Sequence, residues 1–149
     1  MFHLMNNSLP GVPMIFQGDE YGQIGIGQSD SKRDIKFKKE LNSAQLKLKN
    51  KVSQLNRLRL EYPSLSVGDF YVLKEGPDYT VWLKSYFNEH TIIFFNLQDK
   101  AITLNFPIPF ETKSMISLLD DQVIPLDDPN MASIIIPPLK SGILLLDRK

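Results

Sequence analysis

Cysteine is absent from the 149-residue chain, and so are long apolar runs. Without cysteine the chain can form no disulfide framework, no thiolate nucleophile and no cysteine-based metal site. No apolar run approaches the roughly 20 residues that a membrane-spanning helix needs, and no basic segment followed by an apolar one marks a signal peptide. We therefore expect no membrane partner, while the localisation stays open.

Histidine is scarce as well. His3 and His90 are the only two in the sequence, and neither has the spacing of a Ser-His-Asp triad or of a metal-ligand cluster. We expect both to be packing or surface residues. No metal site and no cofactor are expected.

The charges balance, since 17 basic and 17 acidic residues give a formal net charge of zero. Ten of the lysines and arginines nevertheless lie between Lys32 and Arg59, against only Asp34 and Glu40. Such a cluster is typical of a nucleic-acid interface, but Phe37 is the only aromatic residue near it. A solvated helix face explains the cluster better, so we expect no nucleic-acid partner.

One long helix is predicted over residues 43–62. Asn42 or Ser43 can cap it, Gln45 stands where a capping-box partner belongs, and Pro63 follows the end at Tyr62. An apolar stripe at i, i+4 and i+7 predicts that the helix docks on the rest of the molecule. The stripe consists of Leu48, Val52, Leu55 and Tyr62. The stretch from Gly22 to Phe37, ahead of this helix, has the composition of a loop.

From Gly68 onward the sequence predicts short strands separated by Gly, Pro, Asn and Asp turns. Several strands at this spacing are typical of an antiparallel sandwich or barrel. A complete (β/α)8 barrel, by contrast, needs roughly 250 residues and is excluded by the length. The predicted strands are Phe70–Lys74, Thr80–Phe87, Thr91–Leu97, Ala101–Phe106, Ser114–Leu119, Val123–Leu126, Ser133–Ile136 and Gly142–Leu146.

A different signal lies near the N-terminus, where residues 10–22 read PGVPMIFQGDEYG. A Pro-Gly turn leads into an apolar run at about 13–17, which predicts a buried strand of a parallel sheet. Polar residues that directly follow such a strand lie where α/β barrels place their sites. The pattern resembles the last barrel strand of the alpha-amylase family of glycoside hydrolases (family thirteen), which carries Gly-x-Pro-x-Ile-x-x-Gly-x-Glu. The matching residues are Gly11, Pro13, Ile15, Gly18 and Glu20.

Further family features follow in order. Residues 58–65 (LRLEYPSL) and 68–70 (GDF) resemble the family's junction between the closing barrel helix and the C-terminal domain. Arg33 matches the first residue of the family's Arg-Pro-Met-x-Trp, although Asp34 and Phe37 depart from it. The resemblance implies a mainly-β fold: an antiparallel Greek-key β-sandwich, preceded by a remnant of a TIM barrel. Residues 1–62 would then be the remnant and residues 63–149 the sandwich domain.

The adjacent carboxylates Asp19 and Glu20 are poor candidates for a glycosidase pair. Such a pair lies on opposite sides of the sugar bond, roughly 5–10 Å apart, whereas neighbours on an extended chain point to opposite faces. The family's catalytic carboxylates lie on earlier barrel strands, so the resemblance implies that the chain has no catalytic residue of its own. It places Asp19, Glu20 and Arg33 at the barrel mouth, behind the residues that contact substrate.

Aromatic residues of the first two strands could stack on sugar rings. On the predicted strand Thr80–Phe87, Trp82 and Tyr86 share a face, and they point outward if Val81 and Leu83 face the core. Tyr71 on the preceding strand is a further candidate. The alternative is that Trp82 and Tyr86 pack against other parts of the protein.

The resemblance implies the C-terminal portion of an alpha-amylase-type enzyme that acts on α-glucans. The alternative function is a free-standing carbohydrate-binding sandwich that uses Trp82, Tyr86 and Tyr71. Without neighbouring barrel strands, the apolar run within 10–17 would be left open, and open apolar edges recruit other chains. We therefore also expect self-association through residues 10–17.

Overall fold

A computed structural model of the protein describes residues 1–24 and 35–148. Among the described residues, three α-helices precede the strands: α1 (Phe2–Ser8), α2 (Ser43–Glu61) and α3 (Pro63–Val67). Short 3-10 helices span Asp19–Tyr21 and Lys38–Glu40. The loop predicted from 22 to 37, with Arg33 in it, lies mostly outside the described residues.

Eight strands follow the helices, and they correspond to the eight predicted ones with ends that differ by two residues at most. The strands are β1 (Asp69–Gly76), β2 (Tyr79–Tyr86), β3 (Glu89–Asn96), β4 (Ile102–Pro107), β5 (Thr112–Ser117), β6 (Val123–Pro125), β7 (Met131–Ile136) and β8 (Ser141–Arg148). The short apolar segments and turn residues of the sequence were sufficient to place them.

The strands form two antiparallel sheets. The large sheet has six strands in the order β1-β2-β3-β8-β5-β6, and the small sheet pairs β4 with β7. The chain crosses to the small sheet after β3 and again after β6, and β8 returns to insert between β3 and β5. This connectivity confirms the predicted antiparallel Greek-key sandwich.

Both faces of the large sheet are covered. One face packs on the small sheet around a core that includes Val81, Leu83, Ile92, Phe106 and Ile136. The other face packs on the three helices, which we call the helix layer. That second cluster includes Leu4, Leu55, Leu58, Leu65, Trp82, Ile93 and Phe95. The large sheet is therefore the middle of three layers.

Helix α2 begins as the sequence predicts. The Asn42 side chain accepts a hydrogen bond from the Gln45 N–H at 2.9 Å, and the Gln45 side chain accepts one from the Asn42 N–H at 3.1 Å. This reciprocal capping box satisfies two N–H groups that the helix leaves unpaired. The predicted docking is confirmed as well, because Leu55 is buried against the large sheet.

The strand predicted at about 13–17 is absent. Residues 12–16 have no regular secondary structure, and no strand of the described chain pairs with them. The side chains of Val12 and Met14 are largely exposed. A strand is stabilised by its hydrogen-bonded neighbours, and none is present here. The Asn6 side chain, which donates to the Met14 carbonyl at 2.9 Å, contributes one hydrogen bond to this segment.

Candidate functional site

The residues after the apolar run form a tight turn rather than an extended rim. Gly18 and Gly22 flank the 3-10 helix Asp19–Tyr21 with φ values of 95° and 67°. Both values lie in the left-handed region that glycine adopts without steric cost. The glycine pattern of the sequence therefore marks the two ends of this turn.

The two acidic residues of the turn contact other residues of the N-terminal segment. Glu20 Oε2 accepts a hydrogen bond from the Gly18 N–H at 2.9 Å, so this carboxylate closes its own turn. The Asp19 carbonyl oxygen lies 3.1 Å from Nε2 of His3 on α1. These contacts lie within the N-terminal segment of the chain.

Tyr21, which the sequence reasoning did not single out, anchors the turn to the helix layer. Its side chain is buried, and its hydroxyl donates to Gln23 Oε1 at 2.9 Å and accepts from the Lys36 N–H at 3.3 Å. The Lys49 ammonium of α2 lies 5.8 Å from the ring centroid, within cation–π distance. Its only signal in the sequence was its position as an aromatic residue directly after the motif residue Glu20.

Arg59 of α2 joins the N-terminal segment to the start of the sandwich. Its guanidinium is buried and donates to the carbonyls of Asn7 at 2.5 Å and Leu65 at 2.6 Å. It also donates to the carbonyls of Leu9, Gly11 and Ser66. Burial lowers the pKa of Arg59. The rigid fork of donors suits this task, because it reaches acceptors on two segments at once.

A second buried cation lies under α3. Lys84 of β2 is 0 % exposed, and its Nζ has no hydrogen-bond partner among the described residues. Burial lowers the pKa of Lys84, the positive charge of Arg59 lowers it further, and Asp69 opposes the shift. Ser64 of α3 contacts the sheet directly, since its hydroxyl lies 3.1 Å from the hydroxyl of Thr91 in β3.

Trp82 is not available for sugar stacking, which corrects that expectation. Its side chain is 9 % exposed and lies between the rings of Phe70 and Phe95, at centroid distances of 5.1 and 5.0 Å. The face of β2 that carries Trp82 is covered by the helix layer, whereas a sandwich alone would leave it exposed. The alternative, that Trp82 packs inside the protein, is correct.

Tyr71 and Tyr86 are both exposed, but the structure does not bring them together. Tyr71 is paired with Leu83 across β1 and β2, so it lies on the face toward the small sheet. Tyr86 lies on the same face as Trp82, toward the helix layer. The two side chains cannot form one aromatic platform.

A cleft of about 460 Å³ is lined by residues of β6, β7 and β8, among others. Its wall is largely apolar, with Phe94, Ile124 and Ile134 among its members. Asp120 is the only carboxylate among the described residues that line it. A glycosidase pair is therefore not present in this cleft.

Two classes of function find no support in the part of the chain that the structure describes. No three His, Asp or Glu side chains come together there as ligands for a metal ion. None of its helices is long and apolar enough to cross a membrane.

The chain is similar to parts of much larger proteins. No protein-family model matches it. A cyclomaltodextrinase from Geobacillus thermopakistaniensis is 27% identical over 121 residues, which are 80% of this chain and 20% of that protein. The crystal structure of an Anoxybacillus alpha-amylase superposes with a TM-score of 0.86 at 26% identity, over 98% of this chain and 31% of that chain.

A third relative shows the same fold at lower identity. The structure of AmyP in complex with maltotriose superposes with a TM-score of 0.82 at 19% identity, over 98% of this chain and 34% of that chain. This chain thus spans about a fifth to a third of the length of the relatives it matches. Nearly all of it is matched, both the helices and the sandwich.

Proposed function

We propose that this chain, which has the sequence and fold of the C-terminal part of an alpha-amylase-family glycoside hydrolase, belongs to an enzyme that acts on α-glucans and is not catalytic by itself. The observation that carries the proposal is the match of nearly the whole chain to cyclomaltodextrinase and alpha-amylase, of which it covers only a fraction. The activities in the names of these relatives are those of the complete proteins. The substrate that we propose is the α-glucan of the parent enzyme.

The division of the chain follows from this proposal. Residues 1–62 would be the end of an α/β barrel domain and residues 63–149 the sandwich domain. The hydrogen bonds of Arg59 support a junction here, since they tie residues 7–11 to Leu65 and Ser66. Helix α2 then serves both parts, because it carries Arg59 and packs Leu55 on the large sheet.

The role proposed for the turn at 18–22 is support of the barrel mouth. Glu20 closes the turn through the Gly18 N–H, and Tyr21 anchors it on α2. Asp19 and Glu20 would then hold the backbone in place behind the catalytic residues of the parent. Arg33 is assigned to the same region on its motif position alone.

The first prediction is that the purified chain has no glycosidase activity. It should release no reducing sugar from starch, pullulan or cyclomaltodextrin at high protein load, because the proposal assigns the carboxylate pair of the parent enzyme to barrel strands outside this chain. The Glu20→Gln variant should release as little sugar as the unaltered chain. Hydrolysis that disappears in Glu20→Gln would overturn the assignment. The coding sequence upstream of Met1 should carry barrel strands with an Asn-His-Asp-like motif.

A further inference from the structure

The turn between β2 and β3 contains a residue whose backbone conformation is unusual for its type. Phe87 has a φ of 48°, in the left-handed region, and its side chain is 84 % exposed. Glycine or asparagine is favoured at such a hairpin position, and a bulky aromatic residue is costly there. Because the ring buries little of its surface in this chain, the folded structure gains little from it. A ligand contact would account for its presence.

Tyr86 completes a corner of two aromatic rings. The Tyr86 and Phe87 rings meet edge to face, with centroids 4.7 Å apart and an interplanar angle of 88°. Tyr86 is itself 37 % exposed. Together with Val67, Asp69 and Ser85, the two aromatic residues line a cleft of about 320 Å³. This volume lies in the range of small-molecule sites, and aromatic walls with a few polar groups are typical of them.

The lining of this cleft restricts the chemistry of its ligand. No basic residue is among the described residues that line it, so an anion finds no counter-charge there. The Asp69 carboxylate is an acceptor for hydroxyl donors, and the Tyr86 hydroxyl both donates and accepts. The Ser85 hydroxyl already bonds to His90 Nδ1 at 2.9 Å. Two ring surfaces and these polar groups suit a neutral, polyhydroxylated ligand with apolar C–H faces.

We propose that this cleft binds an α-glucan, at a sandwich site separate from the turn at 18–22. The choice of an α-glucan among neutral polyols rests on the proposed function. The site is formed by the chain itself, since Tyr86 and Phe87 lie on one hairpin, Val67 ends α3 and Asp69 begins β1. Its role would be to hold the polymer while another part of the enzyme acts on it.

Titration of the full chain with maltoheptaose, followed by amide chemical shifts in NMR, tests the site. The shifts should begin at Tyr86, Phe87 and Asp69. Phe87→Gly removes the ring and suits the backbone at this position, so the variant should fold, and its affinity should fall roughly tenfold or more, about 1.4 kcal/mol of binding free energy. Tyr86→Ser should weaken binding similarly. Tyr71→Ser is the matched control, because it removes an exposed tyrosine from the opposite face.

Several results would overturn the site. They are no binding of maltoheptaose at millimolar concentration, unchanged affinity in both Phe87→Gly and Tyr86→Ser, an equal loss in Tyr71→Ser, and equal affinity for the β-linked cellohexaose. The amide chemical shifts of Tyr86 and Phe87 could also change when the protein is diluted without sugar. That result would show that two copies of the chain contact each other at the cleft, and it would contradict the proposal. None of these results bears on the assignment as a C-terminal part, which the hydrolysis assay and the upstream sequence test.

Discussion

At the scale of single residues, Lys84 is the clearest departure from the rule that buried charges are paired. Its Nζ lies under α3 with no hydrogen-bond partner among the described residues, and the guanidinium of Arg59 adds repulsion. A buried donor without a partner costs about 1–3 kcal/mol, more when it is charged. The residue is therefore a place where the native protein is less stable than it could be.

We predict that Lys84→Met raises the free energy of unfolding at pH 7 by about 1–3 kcal/mol. Folding lowers the pKa of Lys84 below 10.5, so the unfolded state binds more protons between the two values. The stability of the native protein should rise with pH through that window, and Lys84→Met should remove the rise. Urea unfolding at several pH values measures both effects. The exposed Lys47→Met is the control, and a destabilised Lys84→Met would contradict the prediction.

Arg59 is also a buried cation, but unlike Lys84 it donates hydrogen bonds to backbone carbonyls. We predict that Arg59→Lys lowers the free energy of unfolding by more than about 2 kcal/mol, because an ammonium cannot reach carbonyls on both segments. Hydrogen exchange should accelerate at residues 7–11 and around Leu65, before it does in β2 and β3. Arg57→Lys, two residues away and exposed, should change neither. Uniform acceleration across the sheet would show that Arg59 acts on the whole fold instead.

At the scale of elements, α2 is expected to be part of the cooperative unit. Leu55 is buried in the same cluster as Trp82 and Ile93. We predict that Leu55→Ala lowers the free energy of unfolding by about 2–5 kcal/mol, the usual cost of truncating a buried leucine. Thermal and denaturant unfolding measure it. If Leu55→Ala shifts the midpoint no more than Lys51→Ala on the solvent side, the helix is not docked as described.

At the scale of the whole molecule, the N-terminal segment leaves an apolar surface uncovered. Val12 and Met14 are 95 % and 80 % exposed, and the apolar residues Phe2, Met5 and Leu9 of the preceding segment are exposed as well. Exposed apolar patches of this kind mark association sites. A formal net charge of zero opposes association of two copies only weakly.

We predict that the chain self-associates through residues 10–17 at micromolar concentration. Light scattering should show a species larger than a monomer, and Met14→Asp should restore the monomer because it places a charge on the contact. A chain that starts at Ser43 should be monomeric too. This truncation also removes Leu4 from the cluster under the large sheet, so Met14→Asp is the cleaner test. A monomeric full chain would rule the contact out.

Local patterns were sufficient for most of the secondary structure. The strands follow from short apolar segments between turn residues, and α2 follows from Asn42, Gln45 and the stripe around Leu55. The resemblance to alpha-amylases also depends on neighbouring residues. Its motif residues Gly18 and Glu20 lie in one turn, in which the Gly18 N–H donates a hydrogen bond to the Glu20 carboxylate. These features depend on neighbours within a few residues, and such information is present in the sequence.

The tertiary structure alone decided which surfaces are covered. Alternation along β2 shows that its two faces differ, but it cannot show that helices cover the face of Trp82 while the small sheet covers that of Leu83. Residues 12–16 have the sequence of a strand, but no strand in the described part of the chain pairs with them. Burial and pairing are relations between distant segments, so a pattern in one segment predicts a preference and the packing of the others determines whether it is realised.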